Sequence, residues 1–142
     1  MKLYALTLTS AAAALLAAAL AASAATLPPE QRVGDVAFVT GGVGDDESAA
    51  FKQAMAAYPL AIEVVRSNAG RGEYTSGATV QVSRRSSGTV VLSTKAEGPF
   101  VLARVPPGDY QVQATLNGRT MTKDVSVGGN GSTRAVLSFA GD

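Results

Sequence analysis

Apolar and polar residues alternate most cleanly over residues 110–116, where Tyr110, Val112, Ala114 and Leu116 are interleaved with Gln111, Gln113 and Thr115. A period of two places the two sets on opposite faces of a strand, one buried and one wet. The chain enters this strand through Pro106-Pro107-Gly108-Asp109 and leaves it through Asn117-Gly118, a pair that supplies the two left-handed residues of a tight hairpin turn. Related patterns lie on both sides. Val80 and Val82 alternate with Thr79, Gln81 and Ser83, residues 89–94 are rich in β-branched side chains, and residues 100–105, 119–127 and 133–139 read as further strands. Turn signals at residues 84–88, 97–99 and 128–131 separate them. Short strands spaced about ten residues apart predict an all-β sandwich.

The front of the chain has a different rhythm. Residues 36–40 form a short apolar run between Gly34-Asp35 and Gly41-Gly42, which suits a buried strand. Asp45, Asp46 and Glu47 then open a helix, with Asp45 as the capping residue and the next two carboxylates facing the positive end of the helix dipole. Phe51, Ala54, Met55 and Tyr58 recur at i, i+3, i+4 and i+7, so one stripe of that helix is apolar, and Pro59 ends it. Leu60, Ile62 and Val64 start another strand. The expected organisation is a leader at 1–25, a flexible lead at 26–32, a strand-helix-strand unit at 33–66, a glycine-rich loop at 67–76 and a sandwich at 77–142.

If Asn117-Gly118 is a two-residue turn, Leu116 pairs with Arg119, Ala114 with Met121, Val112 with Lys123 and Tyr110 with Val125. Arg119 and Lys123 then sit on the core side. Either the sandwich is open at that end, with long stems lying along the core and charged heads in water, or the register slips through a bulge, and a charge aimed inward is also a known guard on an edge strand.

Composition narrows the chemistry. The 142 residues suit one domain, and 46% apolar content is enough for a compact core. There is no cysteine and no histidine, which removes disulfides, thiolate nucleophiles, Cys/His zinc sites and every Ser-His or Cys-His pair. A net charge of +1, which vanishes without Lys2, carries no nucleic-acid signal. Lys2, the Ala/Leu run at residues 11–22 and Ala22-Ser23-Ala24 fit a secretory signal peptide with an A-x-A cleavage site. The competing reading is an uncleaved anchor helix, since residues 3–25 are almost free of charge. With no cysteine after the apolar run, no lipid anchor is expected. The mature protein is expected to be periplasmic or secreted.

The residues Gly77-Ala-Thr-Val-Gln-Val82, Glu97-Gly-Pro-Phe-Val-Leu102, Val105-Pro-Pro-Gly-Asp-Tyr-Gln-Val-Gln-Ala114, Gly118 and Val125-Ser-Val127 resemble the carboxypeptidase regulatory-like domain. The resemblance runs from Gly77 to about Phe139. It departs at residues 97–100, where that family often has Asp or Asn before the glycine and no proline after it. With residues 40–47 and the short helix, the chain is similar to small exported proteobacterial proteins that carry this domain. The resemblance implies a mainly β fold: a transthyretin-like or Ig-like antiparallel β-sandwich, preceded here by the short strand-helix-strand unit. It also implies a non-catalytic accessory module, and it carries over no site residues.

Candidate sites are few. Gly41-Gly42-Val43-Gly44 followed by acidic residues lacks the Gly-Lys-Ser/Thr ending of a phosphate loop, and Glu47 stands where a dinucleotide turn needs glycine. Ser48 and Lys52 lie one helical turn apart and read as a solvated pair. Arg84-Arg85 reads as a soluble hairpin tip. Gln111, Gln113, Thr115, Thr120 and Thr122 share one outer face and form an uncharged polar ribbon, able to bond another strand or a sugar. A sugar site usually adds an aromatic platform. There is no tryptophan; Phe38, Phe51, Tyr58, Phe100, Tyr110 and Phe139 fall at core-like positions, leaving Tyr74 as the ring placed for exposure. No catalytic residue, cofactor or metal is expected. The expectation is a non-enzymatic module with an envelope protein as partner, and a carbohydrate or small-ligand binder as the alternative.

Overall fold

The computed structural model describes residues 26–68 and 71–140, so the expected leader lies outside the described residues. In chain order the elements are β1 (Gln31–Val33), β2 (Val36–Gly41), α1 (Asp45–Ala54) with a 3-10 turn at Met55–Ala57, β3 (Leu60–Asn68), β4 (Arg71–Tyr74) and β5 (Thr79–Arg84). There follow β6 (Val90–Lys95), β7 (Phe100–Ala103), β8 (Gly108–Leu116), β9 (Arg119–Val127) and β10 (Thr133–Ala140). The fold is mainly β, a sandwich of two sheets.

One sheet has the order β1-β2-β7-β3-β10, with β4 also paired to β3; the other has the order β6-β5-β8-β9. Pairing is antiparallel except between β3 and β10, which run parallel over eight residues from Thr133↔Leu60 to Ala140↔Ser67. That pair makes the first sheet mixed. It also joins the strand-helix-strand unit to the sandwich, since β2 and β3 flank β7 on either side.

Strand alternation explains the core. Phe38, Leu60, Ile62, Val64, Val101, Leu137 and Phe139 from the first sheet meet Val80, Val82, Leu92, Tyr110, Val112 and Ala114 from the second. Tyr110 is fully buried and donates its hydroxyl to the Pro106 carbonyl at 2.6 Å, so its polar tip is satisfied across the two-proline corner.

Runs that are apolar at every position have a second partner. Val39, Ala61, Phe100 and Leu102 point away from that core and are covered by Phe51 and Tyr58, with Ala54 and Met55 packed beside them. The helix therefore lies on the outer face of the first sheet, and its predicted stripe is the face that docks. Phe51 stacks on Phe100 with ring centres 5.6 Å apart and planes 10° from parallel.

At the mouth of the helix, the caps differ from expectation. Gly44, not Asp45, is the N-cap, and no side chain bonds there. Glu47 instead turns back and accepts the Gly42 N–H at 2.8 Å. Thr40 Oγ1 donates to the Phe100 carbonyl at 2.9 Å and accepts the Glu97 N–H at 3.1 Å. These bonds draw residues 97–100 against residues 40–42, and Gly98 is the residue that lets the two backbones touch: a Cβ there would overlap the Gly41 carbonyl and stand 2.9 Å from the Gly42 nitrogen.

Residues 67–76 are not wholly a loop. β3 runs on to Asn68, and β4 pairs back along it with Val65↔Tyr74 and Asn68↔Arg71. This pairing makes a hairpin where glycine-rich composition predicted a loop.

Candidate interaction surface

The turn at Asn117-Gly118 sets the geometry of the candidate surface. Asn117 has φ 51° and Gly118 φ 79°, both left-handed, as a two-residue hairpin requires. The register is the expected one: Leu116↔Arg119, Ala114↔Met121, Val112↔Lys123 and Tyr110↔Val125. There is no slip. The sandwich is open at that end instead, because residues 119–124 are exposed on both faces and only Val125 and Val127 of β9 are buried. Met121, at an inward position, is 39% exposed. Arg119 reaches across the opening and donates to the Ala140 carbonyl at 2.8 Å.

On the outer face the sequence grouping is realised. Gln113 pairs with Thr122 and Thr115 with Thr120, the two threonine hydroxyls lying 3.1 Å apart, while Gln111 faces Asp124. Gln81 pairs with Gln113 on one side and Ser93 on the other, so a polar rung, Ser93-Gln81-Gln113-Thr122, crosses all four strands of this sheet. Gln111, Gln113 and Thr115 are half-buried by their neighbours, and Thr120 and Thr122 are exposed. Asp124 forms an ion pair with Arg85 at 3.7 Å, and Ser126 donates to Asp109 at 2.7 Å. Tyr74 stands on β4, a strand of the other sheet.

The ladder also assigns the backbone. A two-residue loop makes its flanking pair, Leu116 and Arg119, the hydrogen-bonded one, and bonded pairs then alternate along an antiparallel hairpin. Arg119, Met121, Lys123 and Val125 thus bond β8. Thr120, Thr122 and Asp124 direct their N–H and C=O groups to the open edge, where no strand of the second sheet follows β9 among the described residues, while the Ser126 carbonyl accepts the Thr133 hydroxyl at 3.0 Å.

The six rings expected at core positions offer no platform for a sugar. Phe38, Phe51, Tyr58, Phe100, Tyr110 and Phe139 are each buried to 4% exposure or less. Ser48 is buried too, at 7% exposure, and its hydroxyl has no partner among the described residues, so it is not the solvated residue that helical spacing implied. Lys52 is exposed. The two do not form a desolvated catalytic pair.

A second polar cluster, absent from the sequence reading, ties the lead segment to the helix. Glu30 accepts from the Tyr58 hydroxyl at 2.7 Å and from Arg104 Nε at 3.0 Å, and the Arg104 guanidinium lies over the Tyr58 ring at 4.2 Å. The Tyr58 bond, then the Arg104 bond, hold the Glu30 carboxyl below its ordinary 4.5. Burial, then the Glu30 bond, push the Tyr58 phenol above 10.0. A lowered carboxyl pKa stabilises the fold above the unfolded value and loses that contribution as pH falls through the folded one. Wild type is therefore expected to lose its thermal-stability advantage over Glu30→Gln as pH drops below about 4.5, a window read from the direction of the Glu30 shift. Melting curves at pH 3 to 7 check this; a gap that stays constant would disprove the linkage.

No protein-family model and no curated protein matches the sequence. Among solved structures, the chain is similar to 5-hydroxyisourate hydrolase of Klebsiella pneumoniae, at 16% identity and a TM-score of 0.37, over 58% of this chain and 85% of that one.

Proposed function

We propose that this protein is a non-catalytic accessory module of the cell envelope that binds a protein partner by strand addition at β9. The observation that carries the reading is the state of that edge. Six consecutive residues of β9 are exposed on both faces, and alternate N–H and C=O groups along them face outward without a neighbouring strand in their sheet among the described residues. Natural edges are usually shortened, bulged, covered or guarded by inward-pointing charges, because an extended unpaired strand templates pairing with another chain, and of these devices β9 carries the last, in Arg119 and Lys123. β9 has nine residues and continuous pairing with β8 throughout. The Gln113-Thr122 and Thr115-Thr120 rungs beside it offer uncharged side-chain hydrogen bonds, and Met121 adds an apolar contact on the inner side. Export rests on the leader, and the absence of catalysis on a sequence without histidine or cysteine.

In-cell photo-crosslinking tests this. A reactive group at Thr120 or Thr122 is expected to capture one recurrent envelope protein, and the same group at Ser93, on the opposite edge strand, is not. Thr122→Pro removes one outward N–H that no intrachain ladder bond uses, so it is expected to cut capture from Thr120 at least about tenfold, for a stability cost of about 1 kcal/mol. Thr122→Val keeps the donor and should capture normally. Equal capture at Ser93, or capture that survives the proline in a folded protein, would defeat strand addition.

A further inference from the structure

We infer that the end of the sandwich opposite the Asn117-Gly118 turn binds a small monocarboxylate with an apolar body, through Arg84. A groove of about 660 Å³ opens there between the β1-β2 hairpin and the β5-β6 hairpin. That is within the size range of small-molecule pockets. Its walls are apolar, with Val33, Val36, Val90, Val91 and Val105 among them. Val33 and Val90 are 40% and 48% exposed, so the lining meets water as the groove stands.

Strand alternation divides the twin arginines of the β5-β6 turn. Arg85 goes to the outer side and pairs with Asp124 at 3.7 Å. Arg84 shares the parity of Val80 and Val82, so its side chain turns inward, half-buried, with its guanidinium 5.5 Å from the Tyr110 ring centre. That guanidinium makes no hydrogen bond or ion pair with any described residue. A half-buried guanidinium is well matched by a carboxylate or phosphate, because its planar fork of donors fits two oxygens side by side. With one face of the guanidinium on the Tyr110 ring, its fork of donors is what the oxygens of a ligand would meet.

Charge selects among anions. The other cation of the groove, Arg104, is already matched by Glu30 at 3.0 Å, and Asp35 lies exposed at the groove's rim. With one unmatched positive charge, and one carboxylate nearby, the site suits a monoanion and disfavours a phosphate dianion. The valine walls then select an alkyl or aryl body. This site is independent of the β9 edge and stands whether or not strand addition does.

Octanoate is a suitable probe, followed by amide chemical shifts of the signal-processed protein. Saturable shifts are expected at Val36, Val91, Val105 and the Arg84 turn, with hexanoate binding about tenfold more weakly for its two fewer methylenes. Octanol, without the carboxylate, should bind at least about tenfold more weakly than octanoate, as should octanoate to Arg84→Gln. Arg84→Lys keeps charge but loses the fork and should fall between. Arg85→Gln should bind like wild type. Equal binding of octanol and octanoate to wild type overturns the role of Arg84 without any variant. So does the absence of saturation, or saturation at other residues. Tighter binding of a peptide ending in a free valine carboxylate than of octanoate would replace the small ligand with a chain terminus.

Discussion

Gly98→Ala is expected to destabilise the protein by about 3–4 kcal/mol, read as a lower urea midpoint with an unchanged slope. Overpacking a core ordinarily costs about 1–3 kcal/mol, because neighbouring side chains move aside. At Gly98 the neighbours are backbone: the Gly41 carbonyl and, 2.9 Å from a new Cβ, the Gly42 nitrogen. Neither is free to shift. Gly42 is held by Glu47, and the strand before it by Thr40, whose hydroxyl bonds both Phe100 and Glu97. Moving residues 97–99 away would break those bonds and draw Phe100 out of its stack on Phe51. Gly129→Ala is the control, since nothing lies within 4 Å of its Cβ position and its φ is ordinary. It should change stability by less than about 0.5 kcal/mol. Equal midpoints for the two variants would show that the close approach is not what holds this corner.

That corner shows where sequence reasoning stops. Gly41-Gly42 and Glu97-Gly98-Pro99 each read as turn chemistry, and turn chemistry is local. Their contact spans more than fifty positions of chain, as the Glu97 to Thr40 bond does, and no periodicity reports it. The parallel pairing of β3 with β10 was hidden for the same reason: both strands alternate, but alternation says which face is buried and nothing about the neighbour or its direction. By contrast, the β8-β9 register could be read residue by residue, because a two-residue turn leaves one pairing. The charge placed inward by that register was a true signal of an open end.

Other signals were present and went unused. Arg84 follows Val80 and Val82 at the same parity, so the alternation that buried the valines also aimed the arginine inward. Residues 60–65 are apolar at both parities apart from Glu63, which marks a strand covered on both faces and hence a docked helix. Glu63 itself survives burial at 6% exposure through its ion pair with Arg134, a partner on β10 that only the parallel pairing supplies. The Glu30-Tyr58-Arg104 cluster joins three separated segments and had no local trace.

Phe51→Ala is expected to cost about 3–5 kcal/mol, the range for removing a fully buried phenylalanine, and to spend that cost locally. Phe51 belongs to the smaller apolar cluster, with Val39, Tyr58, Ala61, Phe100 and Leu102, and is absent from the larger one that joins the two sheets. From the helix side that cluster is closed by Phe51 and Tyr58, with Ala54 and Met55 only partly buried beside them. Removing the Phe51 ring leaves α1 held chiefly by one aromatic, a 3-10 turn and the Glu47 bond to Gly42. Amide exchange should then quicken about a hundredfold or more across residues 48–54, since each 1.4 kcal/mol is about tenfold in an opening equilibrium. Protection in β3 and β8 should fall far less, because their inward residues pack on one another. A uniform loss across helix and both sheets would mean that the layers unfold as one unit. If the helix opens alone, crosslinking from Thr122 should persist in this variant, because β9 lies in the sheet that the helix does not touch.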